Sequence, residues 1–199
     1  MELQANYKVV TNQEINNDLF QKMVILDREL FPEDSGYALS PEYLKNLYAH
    51  TREGLFLLLH TNTKQLIGYY SCIIVSENTK NNYLVSRNYR DLEHTGMQHG
   101  NNNLYIFTIG IQAAYRGSNA MKLLGKAFAN WMIKNIAMGN KIKFCFGEAV
   151  SLEGVKFFTN GMGMVPLDIN KIGKKGTGLY FSPDNLRGYL KKMDSLNMP

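Results

Sequence analysis

Ile109-Gly110-Ile111-Gln112-Ala113-Ala114-Tyr115-Arg116-Gly117-Ser118-Asn119-Ala120 is the most informative stretch of this chain. It closes an apolar run from Leu104 to Ile111 that predicts a buried strand. Ala120 then opens a run to Ile136 in which Leu124, Phe128 and Trp131 fall on one helical stripe. Between strand and helix lies a short loop carrying Arg116 and Gly117. A helix entered this way offers unpaired N–H groups and a positive dipole end, which together suit a phosphate. Gly117 and Ser118 let the backbone approach an anion closely, and Arg116 adds charge. Taken alone, the segment fits an ordinary strand-to-helix turn equally well.

Toward the N-terminus, Asn6 to Val10 predicts a strand. Asn12 is placed to cap a helix whose inward stripe is Ile15, Leu19, Met23, Leu26 and Leu30. Ser40 and Pro41 start a second helix with Leu44, Leu47 and Tyr48 inward. Gly54 to His60 and Gln65 to Ser76 are apolar runs joined by Thr61-Asn62-Thr63-Lys64, a hairpin pattern. Residues 77–103 are polar and aperiodic, and at about 27 residues they exceed ordinary loop lengths. They are read as a functional excursion or a partly mobile segment, within one domain spanning residues 1–199.

Toward the C-terminus, Ile142 to Ala149 is a strand and Ser151 caps a short helix that ends near Gly161 and Gly163. Met164 to Asp168 and Thr177 to Phe181 form a hairpin around the loop Lys171 to Gly176. A last helix follows Ser182-Pro183-Asp184, with Leu186, Tyr189, Leu190 and Met193 inward. The expected order is βααβββαβαββα. That is an α/β (α+β) fold with a mixed sheet.

Composition narrows the function. The 199 residues are 45% apolar or aromatic and 20% charged, ordinary for a globular domain with a core. No apolar run reaches the roughly 20 residues that span a bilayer, and the N-terminus lacks the pattern of a secretory signal. The expectations are no membrane and a cytoplasmic protein. Cys72 and Cys145 have apolar neighbours and read as buried small hydrophobes. His50, His60, His94 and His99 make no zinc-like spacing with them, so no metal is expected. The net charge of +5 is spread over short lysine groups, Lys141 and Lys143, then Lys171, Lys174 and Lys175, then Lys191 and Lys192. None has the aromatic interleaving of a base-stacking surface, and nucleic acid is not the expected partner.

At this point the sequence resembles the GNAT acetyltransferase superfamily. Ile111 to Gly117 is similar to that family's Val-x-Pro-x-aromatic-Arg-Gly signature, with Ala113 in place of proline. The family's Arg-x-x-Gly-x-Gly/Ala, which cradles the CoA pyrophosphate, corresponds to Arg116-Gly117-Ser118-Asn119-Ala120-Met121. Asn119 and Met121 stand where the family has small residues. A second patch, Ser151 to Met164, resembles Asn-x-x-Ala-x-x-Phe-Tyr-x-x-x-Gly-Phe, with Gly154 for the alanine, Phe157 and Phe158 for the aromatic pair, and Gly163 at the matching glycine. The two patches lie about 35 residues apart, in the family's order, and the resemblance covers roughly residues 6 to 182.

The resemblance implies a mixed, mostly antiparallel sheet flanked by helices. It implies acetyl-CoA or CoA as donor, and direct acyl transfer to an amine on a small molecule, peptide or protein. Ile109 and Ile111 would hold the pantetheine through main-chain groups. Arg116, Gly117, Ser118, Asn119, Ala120 and Met121 would cradle the phosphates, and Ser151 and Phe158 would line the donor site. Glu148, at the end of its strand, would be the general base, and it reads equally well as plain surface or a capping carboxylate. Glu33 and Asp34 lie where family members meet the acceptor. Many members carry a tyrosine acid at the position of Phe158, which has no proton to give. Tyr105, Tyr115 and Tyr180 stand as substitutes, although strand aromatics usually serve the core. A homodimer is compatible with the resemblance. A non-catalytic acyl-CoA-binding module and a basic nucleic-acid-binding protein are the alternative classes.

Overall fold

The computed structural model describes residues 6–32, 35, 37–168 and 176–195. Among the described residues, seven strands form one mixed sheet in the order β1-β2-β3-β4-β5-β7-β6, and six α-helices flank it. The strands are β1 Tyr7–Thr11, β2 Leu55–His60, β3 Leu66–Val75, β4 Gly100–Ile111, β5 Asn140–Ala149, β6 Val165–Pro166 and β7 Thr177–Phe181. The helices are α1 Asn17–Leu30, α2 Pro41–Leu47, α3 Glu77–Ser86, α4 Ala120–Ala137, α5 Leu152–Lys156 and α6 Pro183–Ser195. The chain falls into two compact units. The first comprises Met1–Cys72 with Thr108–Phe128, and the second Ile73–Phe107 with Ala129–Pro199.

In the first unit, β1, β2 and β3 pair antiparallel, Val9 opposite Leu58 and Phe56 opposite Tyr70. All ten residues of β3 are buried, which is why it reads as a continuous apolar run rather than an alternating one. Phe56, Tyr70 and Phe128 make the aromatic centre of this unit, with Tyr70 stacked on Phe128 at 4.5 Å. Each such ring pair is worth about 0.5–1.5 kcal/mol beyond its burial.

The cap of α1 differs from expectation. Asn16, not Asn12, accepts the N–H of Leu19 at 2.9 Å. Asn12 has φ +47° and starts a 3₁₀ turn, Asn12–Glu14, which ends the strand and postpones the helix. The buried face of α1 accordingly shifts to Phe20, Met23, Val24, Leu26 and Asp27. Ser40 caps α2 as expected, accepting from Tyr43 N–H at 3.1 Å.

In the second unit, β4 runs parallel to β5 from Gly100 opposite Asn140 to Ile106 opposite Gly147. The antiparallel partner of β5 is β7, which also pairs with β6. The polar excursion proves to be mostly regular. Ser76 caps α3 through the N–H of Thr79 at 3.0 Å, a 3₁₀ turn occupies Tyr89–Asp91, and residues 100–103 belong to β4. Ser151 caps α5, which passes into one π-helical stretch, Phe157–Met162, stopped by Gly163 at φ +77°. The hairpin loop expected at Lys171 to Gly176 lies, up to residue 175, outside the described residues.

Candidate functional site

The strand–loop–helix segment around Arg116 belongs to the first unit. Here Gly110 of β4 faces α1, and a Cβ on it would collide with Leu30 Cδ1. Gly68 of β3 is equally tight, its absent Cβ lying 2.8 Å from the Gly110 carbonyl oxygen. Gln112 N–H donates to Ile67 O at 2.9 Å, so the end of β4 is held firmly where the loop begins. Ile111 is buried and Ile109 half-buried.

A 3₁₀ turn, Ala113–Tyr115, leads to Arg116, whose Nε donates to Ile111 O at 3.3 Å. The guanidinium therefore folds back over the strand end while the residue as a whole stays exposed. Gly117 follows at φ +79° with open space beside its Cα, a backbone angle that a side chain would strain. Ser118 Oγ donates to Tyr115 O at 2.6 Å and accepts the N–H of Ala120 at 3.2 Å, capping α4 from outside. The first helical bond is Leu123 N–H to Asn119 O, at 3.0 Å. The amides of Met121 and Lys122 have no acceptor among the described residues. Asn119 is exposed, Ala120 buried and Met121 half-buried. The segment thus gathers an arginine, a positive-φ glycine and two unpaired helix-start amides on a rigid strand end. Such an arrangement is suited to an anion.

In the second unit, Glu148 stands near the end of β5, half-buried, opposite Gly178 of β7. The phenol of Tyr83, on α3, donates to Glu148 Oε2 at 3.0 Å. Tyr105 of β4 lies 3.3 Å from the Tyr83 oxygen. With the Tyr83 proton directed at Glu148, the Tyr105 hydroxyl is the donor to Tyr83. Rings of Tyr83, Tyr105 and Phe146 pack mutually at 5.0–5.5 Å and seal the hydroxyls on one side. Burial, above all, pushes the Tyr83 hydroxyl well above the ordinary phenol range, with the neighbouring Glu148 charge adding to the rise. Tyr83 therefore keeps its proton and acts as a donor.

Tyr83 was not legible in the sequence. Its helix has no apolar stripe, since Tyr83 and Lys80 are its only buried residues and Val85 is 88% exposed. The available signal was local, the Ser76 cap before ten residues free of glycine and proline.

The remaining candidates fall as follows. Ser151 Oγ is committed to Gly154 N–H at 3.0 Å as the α5 cap. Phe158 is buried, edge-on to Phe157 at 5.8 Å. Tyr180 stacks on Phe144 at 5.6 Å, and Tyr115 packs edge-on to Tyr7. Glu33 and Asp34 lie outside the described residues. Cys72 and Cys145 are buried and not joined in a disulfide, and burial pushes the Cys145 thiol far above its ordinary range. No group of three or more His, Cys, Asp or Glu able to hold a metal occurs among the described residues. No helix there is long and apolar enough to cross a membrane.

No family model and no curated protein matches this chain. Solved structures do match. Arabidopsis thaliana Naa50, in complex with the bisubstrate analogue CoA-Ac-MVNAL, superimposes with a TM-score of 0.57 at 17% identity, over 89% of this chain and 99% of that one. A mosquito arylalkylamine N-acetyltransferase like 5b gives 0.58 at 10% identity, over 88% and 99%. The loading GNATL domain of CurA from Lyngbya majuscula gives 0.60 at 10% identity, over 88% and 97%. With its mixed sheet, and β4 leading through Arg116-Gly117 into α4, the chain has the fold of the GNAT N-acetyltransferases.

Proposed function

We propose that this protein is an acyl-CoA-dependent N-acyltransferase that moves an acetyl group from acetyl-CoA directly to an amine. The observation that carries the reading is the loop from Arg116 to Lys122. There a guanidinium, a positive-φ glycine and unpaired amides of α4 meet at the end of β4. The fold's solved neighbours include a protein bound to a CoA bisubstrate analogue, which supports the same ligand.

In this reading Arg116, Gly117, Ser118, Asn119, Ala120 and Met121 bind the pyrophosphate, and main-chain groups of Ile109 and Ile111 hold the pantetheine. Glu148 takes the proton from the incoming ammonium, oriented by the hydrogen bond from Tyr83. The amine lone pair then attacks the thioester carbonyl carbon, the C–S bond breaks, and the nitrogen gives up a second proton to solvent as the amide forms. CoA leaves as a thiolate. Its proton comes from solvent, because Phe158 has none to give and the Tyr83 phenol is too weak an acid to supply it.

Two measurements test the reading. Thermal unfolding with CoA at about 100 times its dissociation constant should show roughly 2.7 kcal/mol of added stability. Thiol release from acetyl-CoA, across a panel of amines, peptides and aminoglycosides, should identify an acceptor. No stabilisation and no calorimetric binding would overturn the donor site. Binding without thiol release would leave a non-catalytic acyl-CoA-binding module, which the apolar ring of Phe158 favours.

A further inference from the structure

Arg87 is the last turn's C-cap on α3, a non-glycine residue at φ +57° whose N–H bonds Tyr83 O at 2.8 Å. That left-handed backbone turns its side chain back along the helix, and the guanidinium carbon comes 5.9 Å from the centroid of the Tyr83 ring. Its Nη1 is buried and has no hydrogen-bond partner among the described residues. A buried guanidinium nitrogen without an acceptor is costly, and such groups are normally paired.

The guanidinium occupies a place made by a glycine. A Cβ on Gly178 would fall 2.6 Å from Nη1 and 3.5 Å from the guanidinium carbon. Gly178 is the antiparallel partner of Glu148, and paired residues point their side chains to the same face, about 5 Å apart. Arg87 thus fills the position where the cross-strand neighbour of Glu148 would be. One positive and one negative group stand side by side on that face, and the Tyr83 phenol is bonded to the carboxylate. The charges are arranged to meet a molecule with an amine and an acid only a few ångströms apart.

We propose that Arg87 is a specificity-determining residue that binds the carboxylate of the acceptor, and that the acceptor is an amino acid or a close analogue rather than a peptide N-terminus. The inference rests on Glu148 receiving the amine, as set out above. Guanidinium and carboxylate match as planar partners, and Arg87 as a whole is only half-buried. The small side chain of residue 178 is part of the device, because any larger one evicts the guanidinium.

The test uses the full chain loaded with CoA and matched triplets: leucine, leucinamide and isoamylamine, then phenylalanine, phenylalaninamide and phenethylamine. Calorimetry reads binding without turnover, and thiol release from acetyl-CoA reads kcat/KM. The acid should exceed its amide and amine by at least about tenfold in both measurements, the worth of one charged hydrogen bond. Arg87→Gln should reduce that ratio by about 10- to 100-fold, and Arg87→Lys by less. Gly178→Ala should reduce it too, by displacing the guanidinium without removing it, so the proposal does not depend on one variant folding. Equal handling of acid, amide and amine overturns the proposal, as does no binding of any acid, or equal losses on all three members in Arg87→Gln. Transfer to amines with no carboxylate preference removes this proposal and keeps the transferase. Arg87-dependent binding of the acids without thiol release keeps the carboxylate site and removes the transferase.

Discussion

Tyr83 and Glu148, 65 positions apart in the chain, are joined by a 3.0 Å hydrogen bond from phenol to carboxylate. The bond ties α3 to the end of β5. It also gives a helix with little apolar surface a reason to sit where it does. Lys80 supports the same placement, with its ammonium ion-paired to Glu77 and 5.5 Å from the centroid of the Phe144 ring.

Removal of the pair should act through one residue. Glu148→Gln should lower kcat by about 10²–10⁴, the usual cost of a lost general base. Tyr83→Phe should lower it by about 10- to 100-fold by removing a hydrogen bond that orients the carboxylate. Because Tyr83 works through Glu148, the double variant should be no slower than Glu148→Gln alone. Steady-state kinetics on one acceptor decides this, and fully multiplicative losses would assign Tyr83 an independent role.

Arg116→Ala should weaken CoA by about 1.5–3 kcal/mol, with parent affinity falling as salt rises. Gly117→Val should do comparable harm, since φ +79° strains a branched residue and its side chain fills the open space beside Cα. Titration calorimetry on the two folded variants is the check. Undiminished affinity in both would put the phosphate site elsewhere.

Asp27 predicts the pH dependence of stability. It is 1% exposed, Tyr69 donates to its Oδ1, and its Oδ2 has no partner among the described residues. Burial raises the carboxyl from an ordinary 3.8 to about 6, and the Tyr69 bond only partly offsets the rise. The unfolded chain therefore ionises first, and this group's effect is to lower stability as pH climbs from about 4 to about 6. The full effect is about 3 kcal/mol. Asp27→Asn should remove this dependence and compare more favourably with the parent at pH 7.5 than at pH 4, in urea denaturation at both. A difference that is the same at the two pH values would refute the assignment.

Neither thiol should be needed for turnover. Cys145 is 1% exposed with its thiol held protonated by burial, and Cys72 Sγ lies 3.5 Å from Gly54 O as a weak donor. Cys72→Ser and Cys145→Ser should keep the parent's rate once corrected for the folded fraction. A folded but inactive Cys145→Ser, beside an acyl adduct on the parent by mass spectrometry, would contradict direct transfer.

Periodicity, caps and turns were enough to read β2, β3, α2, α4 and the Ser151 cap from residues alone, because each depends on neighbours within a few positions. The loop from Arg116 to Ala120 was legible for the same reason, since its glycine, its arginine and the helix that follows are contiguous. The α1 cap moved from Asn12 to Asn16 because both asparagines suit a cap, and the positive φ at Asn12 belongs to the turn leaving β1. The tertiary structure alone decided that 77–86 is a helix. Its stabilising contacts, Tyr83 with Glu148 and Tyr105, and Glu77 with Asn103 and Lys143, are supplied by strands distant in sequence. It alone decided that Asp27 is buried, and that Arg87 lies where Gly178 has no side chain. Such pairings leave no local periodicity, because the distance between their members is closed only when the sheet forms.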